Sequence, residues 1–132
     1  MARLLAYIAA GSAAGGVCRF LLTTLVQQRF GGAFPTGTLV VNITGSFVLG
    51  FIVRYALATP AVTPELRALL TIGFCGGYTT FSTYSFETAT LIEDAQYQRA
   101  AVYAALSVLL ALAGTFAGFV AARELLSVRG RI

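Results

Sequence analysis

The chain has 132 residues, 58% of them hydrophobic and 11% charged, with a mean hydropathy of +0.82. So apolar a composition excludes an ordinary soluble domain, and a net charge of +4 carried entirely by arginines against five acids suits a membrane boundary rather than nucleic acid. With no histidine and two isolated cysteines, no transition-metal site is expected, and acid–base catalysis has few residues to use, so an enzyme is not expected.

The first apolar segment runs from Leu4 to Val26. Arg3 and the small residues Ala9-Ala10-Gly11-Ser12-Ala13 imitate a secretory signal. Apolar character resumes through Phe20, however, and Val17 before Cys18 lacks the small residue a lipoprotein cleavage site needs, so a retained transmembrane helix is expected. Gly11 and Gly15 form a GxxxG that favours close helix packing. Arg19 lies inside the segment, where a guanidinium either snorkels to the headgroups or faces protein, water or an anion.

Residues 29–37 form the first connection, with Gly and Pro interrupting helix at both ends. The second segment, Thr38 to Ala58, carries Thr38, Asn42 and Ser46 at four-residue spacing, one polar stripe on an apolar helix. The Asn42 amide has two donors for an anion, or alternatively makes an interhelical hydrogen bond. After the link Thr59 to Thr63, Thr63-Pro64-Glu65 is a helix start: a capping hydroxyl, a proline, then an acid against the dipole.

The third segment extends to Ile92 and contains Gly73-Phe74-Cys75-Gly76-Gly77-Tyr78-Thr79-Thr80-Phe81-Ser82-Thr83-Tyr84-Ser85-Phe86-Glu87. Paired glycines weaken helix, so the break is expected at Gly76-Gly77, where freed carbonyls must find protein, an ion or water. Beyond it, hydroxyls alternate with aromatic rings and end on Glu87. Helical spacing places Thr79, Thr83 and Glu87 on one face and Phe81 and Tyr84 on another. Cys18 and Cys75 read as small buried hydrophobes. A polar turn, Glu93 to Arg99, leads to the uncharged fourth segment, Ala100 to Ala122, with Tyr103 and Ser107 one turn apart and a second GxxxG at Gly114 and Gly118. Four spanning helices, the third broken, and a single domain over residues 1–132 are therefore expected.

The third-segment motif closely resembles the signature of the small bacterial fluoride channels, Fluc or CrcB. Gly15-Gly16-Val17-Cys18-Arg19 and Gly37-Thr38-Leu39-Val40-Val41-Asn42-Ile43-Thr44-Gly45 fit the same family, and the resemblance spans the whole chain. It implies an all-α protein of the inner cell membrane, an antiparallel dual-topology homodimer with two passive fluoride pores. It also implies a structural sodium ion on the Gly76 and Thr79 carbonyls of both subunits. Asn42 would stand at the vestibule, Phe81 and Tyr84 in an aromatic box, and Ser82, Thr83, Tyr103 and Ser107 along a hydroxyl track, with Thr38 and Glu87 completing the pore. Two positions depart from the family pattern: Tyr84 replaces the usual Phe, and Ala111 stands one turn beyond Ser107, where relatives can carry a hydroxyl.

Such a pore makes chemical sense. Fluoride holds its hydration strongly, so many modest donors must replace it; hydroxyls, amides and the positive edges of rings do so without a fixed cation that would trap the ion. Arg3, Arg54, Arg67, Arg123, Arg129 and Arg131 fall on the side of the termini, Arg29 and Arg99 on the other, a bias toward termini inside that contrasts with insertion in both orientations. The alternative, a dual-topology small-molecule or cation exporter of the small multidrug resistance type, calls for a carboxylate in the first segment, which has none.

Overall fold

The computed structural model describes residues 1–30, 32–60 and 62–129, so Gly31 of the expected first connection and Arg131 of the terminal arginine cluster lie outside the described residues. Helices α1 (Ala2–Phe30), α2 (Thr36–Ala58), α3 (Pro64–Ala68), α4 (Gly76–Tyr78), α5 (Phe81–Glu93) and α6 (Tyr97–Arg129) are joined by a π-helical turn, Leu69–Cys75, between α3 and α4. Three of them, α1, α2 and α6, are long and apolar enough to cross a membrane. The expected third crossing is a composite of four short pieces over residues 64–93.

Local chemistry explains the ends. Thr63 Oγ1 accepts the Leu66 N–H at 3.2 Å and Pro64 opens α3, as its sequence requires. At the start of α2, Pro35 carries no capping side chain, and Gln27 of α1 substitutes: its Oε1 accepts from Gly37 N–H at 3.2 Å and Thr36 Oγ1 at 3.3 Å. The same amide donates from Nε2 to the carbonyls of Gly32 and Phe34, which fastens the connection to α1. The turn between α5 and α6 is shorter than Glu93 to Arg99. Gln96 N–H donates to Leu91 O and Ala95 N–H to Ile92 O, a Schellman closure that puts Ala95 at φ 56°.

Two seams of small residues bring backbones together. In the first, α1 runs parallel to residues 64–78: a Cβ on Gly11 or Gly15 would strike the main chain of Leu69, Gly73, Phe74 or Tyr78, and one on Gly77 would strike Ser12. In the second, α2 runs parallel to α6, with Gly50 on the main chain of Thr115 and Gly118 on that of Phe47 and Phe51. Both expected GxxxG motifs therefore pack helices within one chain.

The break is displaced from its expected place. Gly76 is helical (φ −66°, ψ −36°), and the chain becomes extended at Thr79 (φ −82°, ψ 159°) and Thr80 (φ −150°, ψ 119°). Gly77 serves close packing instead, and Gly45 of α2 makes room for Thr79 and Tyr78 at the break. Cys75 is buried as expected, whereas Cys18 is exposed on α1 and lines an apolar hollow with Leu21, Leu22 and Phe74; both thiols are free.

Candidate functional site at the helix break

Extended backbone inside an apolar protein must satisfy its polar groups, and here neighbouring helices do so. Thr80 N–H donates to Asn42 Oδ1 at 2.8 Å, and Asn42 Nδ2 donates to Thr80 O at 3.0 Å. One carboxamide thus pairs with both main-chain groups of one residue, as a neighbouring strand would. Arg19 Nη1 donates to Thr79 O at 3.4 Å, so this arginine turns toward protein rather than the headgroups. Thr79 folds back on the preceding turn, its N–H and hydroxyl both donating to Cys75 O at 2.9 Å. The Thr80 N–H that a continuous helix would give to Gly76 O is the one diverted to Asn42.

Thr80 also starts the next helix. Its Oγ1 accepts the Thr83 N–H at 3.2 Å, with the Ser82 and Thr83 hydroxyls at 3.2 and 3.0 Å. Because the chain is extended at residues 79–80, Thr79 does not continue the face of Thr83 and Glu87; that expected three-residue face is cut between its first two members.

A cavity of about 300 Å³ opens beside the break. It brings together four of the expected pore residues, Asn42, Phe81, Tyr84 and Ser107, with Ser46, Thr79 and Thr80. Ser107 stands out: its residue is 8% exposed, and its hydroxyl has no partner among the described residues. A buried hydroxyl without a partner costs about 1–3 kcal/mol, so a small polar guest in the cavity has something to bind. The start of α5 lies at the same wall, with the positive end of its dipole.

Three other expected residues form a separate cluster. Glu87 Oε1 accepts from the buried Thr38 hydroxyl at 2.8 Å, and Oε2 accepts from the fully buried Tyr103 hydroxyl at 2.6 Å. An aromatic file connects the cluster to the cavity: Phe81 to Tyr84 and Tyr84 to Tyr103 are each 5.4 Å between ring centres, and Tyr103 to Phe34 is 5.5 Å, edge to face. Beyond it, a cavity of about 350 Å³ is lined by Phe34, Glu87, Thr23, Gln27, Thr90 and Asp94, among others. Ser82 and Thr83 are not drawn into either cavity; they stand exposed on the first turn of α5 beside the Thr80 cap.

Phe34 was not among the expected site residues. Its signal was present: an apolar residue just before the Pro35 cap, with Leu39 at the fourth helical position, is the pattern of a hydrophobic staple. Both pack against the core of Leu91, Ala100 and Tyr103.

Residues 6–119 match the family described as "CrcB-like protein, Camphor Resistance (CrcB)". The chain belongs to the CrcB-like family. Among curated CrcB-like relatives, a protein of Geobacter sulfurreducens named "Fluoride-specific ion channel FluC" is 50% identical over 118 residues, covering 89% of this chain and 95% of the relative. Proteins of the same name from Geobacter sp. strain M21 and Methanopyrus kandleri are 46% and 45% identical, covering 92% and 97% of this chain and 98% and 95% of theirs.

Proposed function

We propose that this chain is a fluoride-selective channel, not an enzyme, that lets cytoplasmic fluoride leave passively through the cell membrane. The observation that carries it is the buried, unpartnered Ser107 hydroxyl in a cavity shared with Asn42, Phe81 and Tyr84, in a chain of a family whose relatives are named fluoride-specific ion channels. The anion's path would run from that cavity past Tyr84 to the Thr38, Glu87 and Tyr103 cluster and the second cavity. Hydroxyls and ring edges along it replace hydration in small increments. Glu87 accepts from both nearby hydroxyls, so its two carboxyl oxygens are engaged rather than free to hold a cationic drug.

The channel is an antiparallel homodimer of four-crossing subunits in this reading. Support comes from α5, where Phe81 is 78% and Phe86 72% exposed although both belong to the hydroxyl–aromatic motif. A pore wall that one chain leaves uncovered suits a second copy. Ser82 and Thr83, exposed on the same helix, would join the track there.

A sodium ion on the Gly76 and Thr79 carbonyls belongs to the same reading. Gly76 O lacks the donor that Thr80 would supply in a helix, and main-chain oxygens suit a hard cation. Arg19 already approaches Thr79 O at 3.4 Å, at the long limit of a hydrogen bond, and that oxygen keeps a second lone pair.

Efflux from proteoliposomes tests both parts. Fluoride should pass and chloride should not, and replacing sodium by a large organic cation throughout preparation should lower flux and dimer recovery. Comparable chloride and fluoride fluxes would overturn the channel reading, and indifference to the cation would remove sodium from it.

A further inference from the structure

The hydroxyl pathway leaves one polar feature unused, at the end of the molecule where α2 and α6 finish. The α2–α6 seam closes with Gly50 against Thr115 and Gly118 against Phe51. Arg54 lies one turn beyond Gly50, and Arg123 little more than one turn beyond Gly118. Parallel helices held backbone to backbone therefore deliver the two guanidinium-bearing residues to one level. There they line a cavity of about 290 Å³ with Leu57, Ala58 and Leu126. Arg129 closes this end by donating from Nη1 to the Tyr55 hydroxyl at 2.7 Å, which ties the last turns of α6 to α2.

The level is informative. Residues 100–122 carry no charge and at about 1.5 Å per residue span about 34 Å, against a hydrocarbon core of about 30 Å. Arg123 consequently falls at the headgroup boundary. Both Arg54 and Arg123 are exposed, and neither is hydrogen-bonded to another described residue, whereas Arg129 is engaged. Glu124 follows Arg123 on α6, but the cavity wall does not include it. Two arginines at one level of the headgroup boundary, neither engaged by another described residue, match the phosphate of a lipid, while Leu57, Ala58 and Leu126 follow them about one turn farther toward the helix ends.

We propose that the cavity between the ends of α2 and α6 holds the phosphate of an anionic lipid, with Arg54 and Arg123 as its ligands and Leu57, Ala58 and Leu126 closing its outer side. Arginine suits a phosphate because its planar fork donates two parallel hydrogen bonds. This inference goes beyond fluoride conduction and requires only that the chain lie in a bilayer.

Native mass spectrometry of the assembled protein, loaded with phosphatidylglycerol or with zwitterionic phosphatidylcholine of the same chains, provides the test. At about 1 kcal/mol per arginine, the anionic lipid should bind about 30-fold more tightly. The double substitution Arg54→Gln/Arg123→Gln should abolish that preference, while Arg99→Gln at the opposite end should leave it intact. Fluoride flux in phosphatidylcholine vesicles reports whether the double variant is folded; the lipid comparison on the unaltered protein stands without it. Equal binding of the two lipids, or a preference that survives the double substitution, would overturn the proposal. Inorganic phosphate serves as the soluble arm: if it displaces phosphatidylglycerol at millimolar concentration, the site takes a free anion and the lipid assignment is overturned.

Discussion

Residues 64–78 touch α1 backbone to backbone, with Gly73 over Gly11 and Gly77 over Ser12, whereas residues 81–93 are attached through side chains. Thr38 and Tyr103 hold Glu87, Thr80 caps the first turn, and a Schellman closure at Ala95 ends the helix. The first half has no room for a single added carbon at Gly73 or Gly77; the second leaves Phe81 and Phe86 largely uncovered. A seam without side chains fixes distance between helices but offers no chemistry. Side-chain attachment leaves hydroxyls and rings available to a passing ion or a second subunit. The crossover between the two, Thr79 and Thr80, is where the Asn42 clamp is needed.

The contrast can be broken most severely at the seam. Gly15→Val should destabilise the fold by about 3 kcal/mol, because its new atoms would meet the main chain of Phe74 and Tyr78, which cannot rotate aside. Gly16→Ala, one residue on, meets open space and should be nearly silent in the same thermal-unfolding measurement. Equal losses at both positions would dissolve the distinction between a tight seam and an open face.

At the crossover, Asn42→Asp keeps an acceptor for Thr80 N–H but turns an oxygen toward Thr80 O and adds negative charge to the cavity. Fluoride flux should fall more than tenfold, a change of more than about 1.4 kcal/mol, with elution from size-exclusion chromatography unchanged. Flux at the parent rate would reduce Asn42 to a packing residue.

Ser107→Ala sharpens the comparison from the functional side. Removing a buried hydroxyl that has no partner among the described residues should leave stability unchanged or raise it by up to about 1 kcal/mol, while fluoride efflux slows. A loss of stability with unchanged flux would mean that the hydroxyl serves the fold.

The smallest effect is expected at the end of α5. Ala95 occupies the left-handed region at φ 56°, which costs a residue with a Cβ about 1–2 kcal/mol. Ala95→Gly relieves that and adds back some unfolded-state entropy, so a net gain of about 0.5–1 kcal/mol is expected in thermal unfolding. No gain would place the strain elsewhere in the turn.

Much of this was legible along the chain because it depends on near neighbours. Apolar length sets α1, α2 and α6; Thr63-Pro64-Glu65 starts α3; the two GxxxG motifs mark where helices meet without side chains. The hydroxyl–aromatic motif supplies Thr79, Thr80, Phe81 and Tyr84 to the cavity wall, and the match of residues 6–119 to the CrcB-like family agrees with the resemblance that the motif carries. What the sequence determined alone was therefore the supply of helices and of donors. The tertiary structure decided where the third segment opens and which donors meet. Glycine propensity pointed to Gly76-Gly77, but helix is given up where a distant partner takes over the exposed main chain. Asn42 and Arg19 reach Thr80 and Thr79 across 38 and 60 residues of sequence. The same applies to Glu87, whose bond to Thr38 spans 49 residues, and to Phe34, which becomes part of the aromatic file by meeting Tyr103. A local pattern sets the free energy of each turn, while the satisfaction of a buried carbonyl depends on what the fold brings within 3 Å of it.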